Sequence, residues 1–376
     1  MTSTPARTSL RALGVAALVA ATLTTASAAS AAPTSERGKQ KELAVSWTDV
    51  PTGSTARFRG LAPVDRDVAW VSGTEGTVLR TVDGGDTWLD VSPGGDTGEL
   101  QFRDIEAFDA QRAVILSIGE GGDSRVYRTT DGGSTWQQTF VNDDPAAFYD
   151  CLGFWDSSHG IALSDPVGGA FRILATDDGG ASWDVVDPAG MPAALPGEFA
   201  FAASGTCLVT AGSSDAWIAS GGGATSRVFH STDRGRTWTV TSTPVASSAA
   251  GGIFSLAVRG TSDVVAVGGD FTAPTVGTDA AAFSTDAGRT WTAGSTLGGY
   301  RSGASWLTQK TQGKAPGTDA VVAVGPTGTD LSADGGRTWS AVDAGSLDSV
   351  ECTRDRACWG SGEAGRVAVL EVTRRR

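Results

Sequence analysis

The chain has 376 residues, with 42 acidic against 29 basic side chains and a formal net charge of −13. That balance argues against nucleic acid or an anionic membrane as the main partner. Two histidines, His159 and His230, are too few for a His-rich metal centre, and 51 glycines suit a fold made of tight turns.

Residues 1–32 read as a signal peptide. Arg7 and Arg11 precede an apolar run from Ala12 to Leu23, and Ala29-Ser30-Ala31 offers a small-residue cleavage site. The run is too short to span a membrane, and no later segment reaches about 18 apolar residues. A soluble, secreted protein is expected, and loss of the two arginines takes its charge to −15. Residues 33–42 read as a flexible leader, and Leu43 to Val50 as a strand ahead of the first repeat.

From there one eight-residue phrase recurs six times: TVDGGDTW (from Thr81), TTDGGSTW (Thr129), TDDGGASW (Thr176), STDRGRTW (Ser231), STDAGRTW (Ser284) and SADGGRTW (Ser332). Its Asp can accept backbone N–H bonds, its Gly supplies a positive φ, and its Trp offers a large apolar face. Strand-like runs flank each copy, so each reads as a hairpin turn. The aspartates Asp83, Asp131, Asp178, Asp233, Asp286 and Asp334 are 48, 47, 55, 53 and 48 residues apart. A repeat of that length, holding about four strands, is the signature of a propeller blade. Seven inner-strand candidates, near Phe58, Phe102, Phe148, Thr206, Ile253, Ala304 and Val350, predict an all-β, seven-bladed propeller, with six blades as the alternative. The last unit holds about three strands and lacks the phrase. The strand at 43–50 is expected to complete it, closing residues 43–376 into one domain.

Four cysteines in an exported chain imply two disulfides. Cys352 and Cys358 suit a pin across a hairpin. Cys151 and Cys207 then join adjacent blades.

Catalytic signatures are sparse. Neither a nucleophile elbow nor a P-loop occurs. Gly360-Ser361-Gly362-Glu363-Ala364-Gly365 matches G-x-G-x-x-G, but a strand follows it where a dinucleotide site needs a helix. No cofactor and no metal are expected.

The phrase resembles the Asp-box, or BNR repeat, of sialidases and related propellers. The unit VAWVSGTEGTVLRTVDGGDTW (Val68 to Trp88) is similar to photosystem II assembly factors of the Ycf48/HCF136 type and their bacterial relatives. The resemblance implies that the six aspartates are structural, and that the protein is a non-enzymatic platform gripping another protein. The basic contact patch of those factors does not transfer to so acidic a chain.

Function is then expected at the mouth of the central channel, with a protein or glycan as ligand and the chain a monomer. The inner strands and their approaches carry Arg59, Arg103, Asp104, Glu106, Tyr149, Asp150, Asp156, Glu198, Arg259, Tyr300, Arg301 and Glu351. Of these, Arg59, Asp104, Glu106, Tyr149, Asp150, Asp156, Arg259 and Arg301 are the binding candidates. The alternative is a sialidase-like glycosidase. It would use Arg59, Arg259 and Arg301 to hold a carboxylate, Tyr149 or Tyr300 as nucleophile, and Asp150 as acid/base.

Overall fold

The hairpin pattern resolves, in a computed structural model describing residues 43–307 and 319–374, into seven four-stranded antiparallel sheets. The signal and leader assigned to residues 1–42 lie outside the described residues, as do residues 308–318. The first strands of the sheets are Phe58–Pro63, Gln101–Ala107, Tyr149–Phe154, Leu208–Ala211, Gly251–Arg259, Gly303–Trp306 and Ser349–Cys352. Each packs against the first strand of the next sheet around the ring, so these seven strands line the axis. We number the blades I to VII in that order, and the six-bladed alternative falls.

Blades I to VI run from inner to outer strand in chain order. Blade VII supplies three strands, and Leu43–Asp49 adds the fourth, with Trp47 opposite Leu370 and Asp49 opposite Ala368. The Trp47 indole donates to Thr329 Oγ1 of blade VI at 2.9 Å, which fixes this strand to a second blade. Pairing the two ends removes an open sheet edge.

Second strands such as Ala69–Gly73 and Val321–Gly325 are buried at every residue. Neighbouring blades cover both of their faces, so they read as unbroken apolar runs rather than alternating ones. Outer strands are short and exposed, as in Leu89–Asp90 and Asp184–Val185. The core lies between blades: Ile161, Leu163 and Phe171 of blade III pack with Ile218, Phe229 and Trp238 of blade IV. Across that seam Cys151 stands at disulfide distance from Cys207 (Cα–Cα 6.1 Å), while Cys352 meets Cys358 across its hairpin (4.0 Å).

The six phrases make one turn. In the first, the Thr81 hydroxyl donates to Asp83 Oδ1 (2.8 Å) and accepts from the Gly85 amide (3.0 Å). Asp83 also accepts from the Thr87 amide (2.9 Å) and hydroxyl (2.5 Å). The same four bonds recur in the other five turns, for example around Asp286 and Asp334. The phrase glycine has a second duty. Gly85, Gly133 and Gly336 have φ of +92°, +82° and +86°, and a Cβ there would strike Val50, Val91 and Val265 of the preceding blade at under 3 Å. These three turns therefore close their own hairpins and seat them on the preceding blade.

Two outcomes are expected. Removing residues 43–49 exposes the edge of Val367–Arg374, so the truncated protein should melt earlier and self-associate, as read by scanning calorimetry and gel filtration. Bonds from Thr290 hold the Asp286 carboxylate down to about 2, against about 3.9 in an unfolded chain. Its contribution is therefore complete above about pH 4 and fades as pH falls toward 2. Asp286→Ala should cost about 1–2 kcal/mol in urea unfolding at pH 7, and the cost should shrink at the acid end.

Candidate functional site

Inner strands start at one end of the ring, the mouth, and the phrase turns occupy the other end. In four blades the inner strand carries a β-bulge at its start, and the unpaired residue is Arg59 (blade I), Arg103 (II), Asp150 (III) or Phe254 (V). The residue before each bulge, Phe58, Phe102, Tyr149 or Ile253, is buried between blades. A bulge places two residues opposite one, which re-aims a side chain. Here it turns the second residue away from the inter-blade core, and all four bulge residues line one pocket of about 550 Å³ at the mouth.

The pocket has two unlike sides. Phe199, Phe201, Phe254, Phe271 and Tyr300 form an aromatic shelf. Phe201 stacks on Phe254 with centroids 3.7 Å apart, Tyr300 meets Phe254 edge-on at 4.7 Å, and Phe271 is 52 % exposed. The other side carries Arg57, Arg59 and Arg103. Arg57 is neutralised by Asp348 through bonds of 2.7 and 2.6 Å. Arg59 and Arg103 have no carboxylate within ion-pair distance among the described residues. Their Nη1 atoms donate to the same carbonyl, Ala202 O, at 3.5 and 3.1 Å, and Arg59 Nε is buried without a partner. Burial and the neighbouring charge of Arg59 lower Arg103 to about 10. Ala202 belongs to a segment laid across the mouth: Ala200 donates to Asp165 at 2.8 Å and Ser204 to the Ser302 carbonyl at 2.6 Å.

Asp150 and Asp165 sit on the same wall. Asp150 is buried, and its Oδ2 has no hydrogen-bond partner. Burial, then repulsion from Asp165, pushes its carboxyl well up, and burial raises Asp165 as well.

The sequence candidates scatter from here. Arg59, Arg103, Asp150 and Tyr300 line the pocket; the others do not. Tyr149 is packed edge-on against Phe140, and burial raises its hydroxyl to about 12. Asp104 ties blades II and III by accepting from the Leu152 amide at 2.6 Å. Glu106 lies further down the channel. Burial raises its carboxyl, and Glu351 and Asp104 repel it further. Glu351 is exposed to the channel lumen, although protein atoms crowd around it and raise its carboxyl too. Asp156 caps a turn with His159 beyond the far end of its inner strand. Arg259, at the far end of the blade V inner strand, pairs with Asp263 (2.8 Å) and Asp319 (2.9 Å). Arg301 is buried against Asp330 at 2.7 Å. Glu198 accepts from Arg227 and Ser220, likewise in the interior. Of the three arginines expected to surround one carboxylate, Arg259 and Arg301 are thus held away from Arg59 by their own acidic partners, and no glutamate lines the pocket for a Tyr300 nucleophile. Arg57, Asp165, Asp348 and the four phenylalanines are the residues that sequence reasoning missed. Aligning the repeats on the buried residue before each bulge is the signal that could have found Phe254.

No protein-family profile and no curated relative matches the chain. Solved structures do share its fold. The chain is similar to a structure described as YCF48 bound to D1 peptide (TM-score 0.60, 16% identity, 86% of this chain and 96% of that one). It is similar to YCF48 from Cyanidioschyzon merolae (0.57, 17%, 86% and 98%). It also aligns with the GH74 xyloglucanase of Xanthomonas campestris (0.57, 16%, 86% of this chain and 53% of that one).

Because Arg301 and Asp330 are both about 1 % exposed at the side chain, Asp330→Ala should strand a buried cation. A loss of about 3 kcal/mol or more is expected in chemical denaturation.

Proposed function

We propose that this protein is an exported, non-enzymatic propeller of the Asp-box, Ycf48-like kind, whose mouth pocket binds a segment of another protein. The observation that carries this reading is the aromatic shelf, stacked and partly open to solvent, facing two arginines without counter-ions. Aromatic and arginine side chains are the usual anchors of protein interfaces. The likeness to YCF48 bound to D1 peptide supports it at the level of fold analogy alone. Export is inferred from Arg7, Arg11 and the apolar run that follows, and the two cysteine pairs are compatible with it. The mature chain would then run from residue 33, with residues 43–376 as its one propeller domain, acting as a monomer.

The glycosidase alternative keeps a place because of the xyloglucanase likeness. The separation of Arg59, Arg259 and Arg301 ranks it second.

The test is a peptide array probed with purified protein, followed by fluorescence anisotropy on selected peptides. Phe254→Ala and Phe271→Ala should each weaken binding about tenfold or more. Asp156→Ala, at the opposite end, should leave it unchanged. Equal binding by all three variants would move the site away from the mouth. Release of fluorophore from a sialoside by the wild type, abolished by Arg59→Ala or Tyr300→Phe, would replace binding with catalysis.

A further inference from the structure

Two half-buried guanidinium groups that share one carbonyl and make no ion pair are costly. Like charges repel, and burial removes the water that would screen them. Elsewhere in this acidic chain, interior arginines are matched: Arg57 with Asp348, Arg227 with Glu198, Arg301 with Asp330. Arg59 and Arg103 sit instead around one carbonyl, Ala202 O, so their Nη1 atoms are separated by no more than the sum of two hydrogen-bond lengths. Two charge-assisted bonds of about 2.8 Å from a single carboxylate reach across such a gap. The adjoining wall holds the buried Asp150 and the half-buried Asp165, neither of which forms an ion pair among the described residues. If both were ionised they would repel an arriving anion and each other. Titratable groups facing this corner are Arg57, Arg59, Arg103, Asp165, Tyr300 and Asp348.

Building on the mouth as the binding site, we propose that the guest bears a carboxylate on an aromatic or aliphatic body. Its carboxylate seats between Arg59 and Arg103, its body lies on the Phe201–Phe254–Tyr300 shelf, and it binds together with one proton shared by Asp150 and Asp165. Burial raises both of these carboxyls, Asp165 to about 6, and Asp165 repels Asp150 further, so a proton stays on the pair as pH approaches neutral. The sign follows from linkage. Below the titration of the pair the proton is already in place and affinity is flat. Above it the proton must be taken up, and affinity falls by up to about tenfold per pH unit. The carboxylate can come from a free organic acid or from the end of a peptide, and the chemistry at the two arginines is the same.

The probes are N-acetylphenylalanine, a tetrapeptide ending in phenylalanine, and the C-terminal amide of each. They are measured by isothermal titration calorimetry from pH 5.5 to 8.5, in buffers of different ionisation enthalpy. Acids should bind at least about tenfold tighter than amides, with net uptake of up to one proton at the alkaline end. The small acid binding as well as the peptide points to a free organic acid; the peptide alone binding points to a chain end. Arg103→Gln and Arg59→Gln should each erase the preference for acids while retaining weak binding of the body to the shelf. Asp150→Asn, which mimics the protonated group, should keep the preference and flatten the pH profile. Amides binding as well as acids, or wild-type affinity constant across that pH range, overturns the proposal and leaves the mouth reading intact. Loss of all binding in the wild type overturns both.

Discussion

Everything in this molecule rests on seating one blade against the next, and a small residue makes that contact. At Gly85, Gly133 and Gly336 the backbone is left-handed and the preceding blade leaves no room for a Cβ, as Gly133 against Val91 shows. The aspartate two residues earlier holds the turn shut by accepting from an amide and a hydroxyl four residues on. Local closure and inter-blade packing thus use the same eight residues. The chain repeats the phrase because each hairpin cannot bury its apolar faces alone. Blade VII has no phrase, and there Leu43–Asp49 together with Trp47 supplies the edge and the anchor.

A ring built this way frees its axis from structural duty at one point only, the start of each inner strand. Four bulges exploit that freedom. The residue before each remains in the inter-blade core, and the bulge residue turns to the mouth. Blade II shows the economy of the arrangement: Phe102 packs, Arg103 faces the pocket, and Asp104 reaches back to the Leu152 amide to hold blade III. Three consecutive residues serve inter-blade packing, the pocket wall and blade-to-blade bonding.

The electrostatics of the mouth run against those of the whole. A protein of net charge −13 concentrates two cations without counter-ions in its pocket. Its global field therefore disfavours anions at a distance, whereas the pocket favours them at contact. Such a combination selects by close geometry rather than by long-range steering. In a low-dielectric wall each charge counts for more, so the protonation of Asp150 and Asp165 sets much of the charge that the two arginines face.

The repeat, its turn chemistry, the inner strands, the closing strand and the cysteine partners are all legible in the chain before it folds. All of these depend on local pattern, such as Asp-x-Gly at a hairpin or an apolar run at a doubly covered strand. The sequence did not determine which charged residues meet. Arg59, Arg259 and Arg301 look alike in the chain, yet one faces the mouth, one sits with Asp263 and Asp319 at the far end, and one is buried on Asp330. A bulge shifts register by one residue and reverses the side to which a side chain points, and no composition or periodicity reports it. The segment carrying Phe199 to Ala203 enters the mouth only because the ring brings blades I, II, V and VI around it. Which side chains share a pocket is decided by closure of the ring, a property that no single repeat contains.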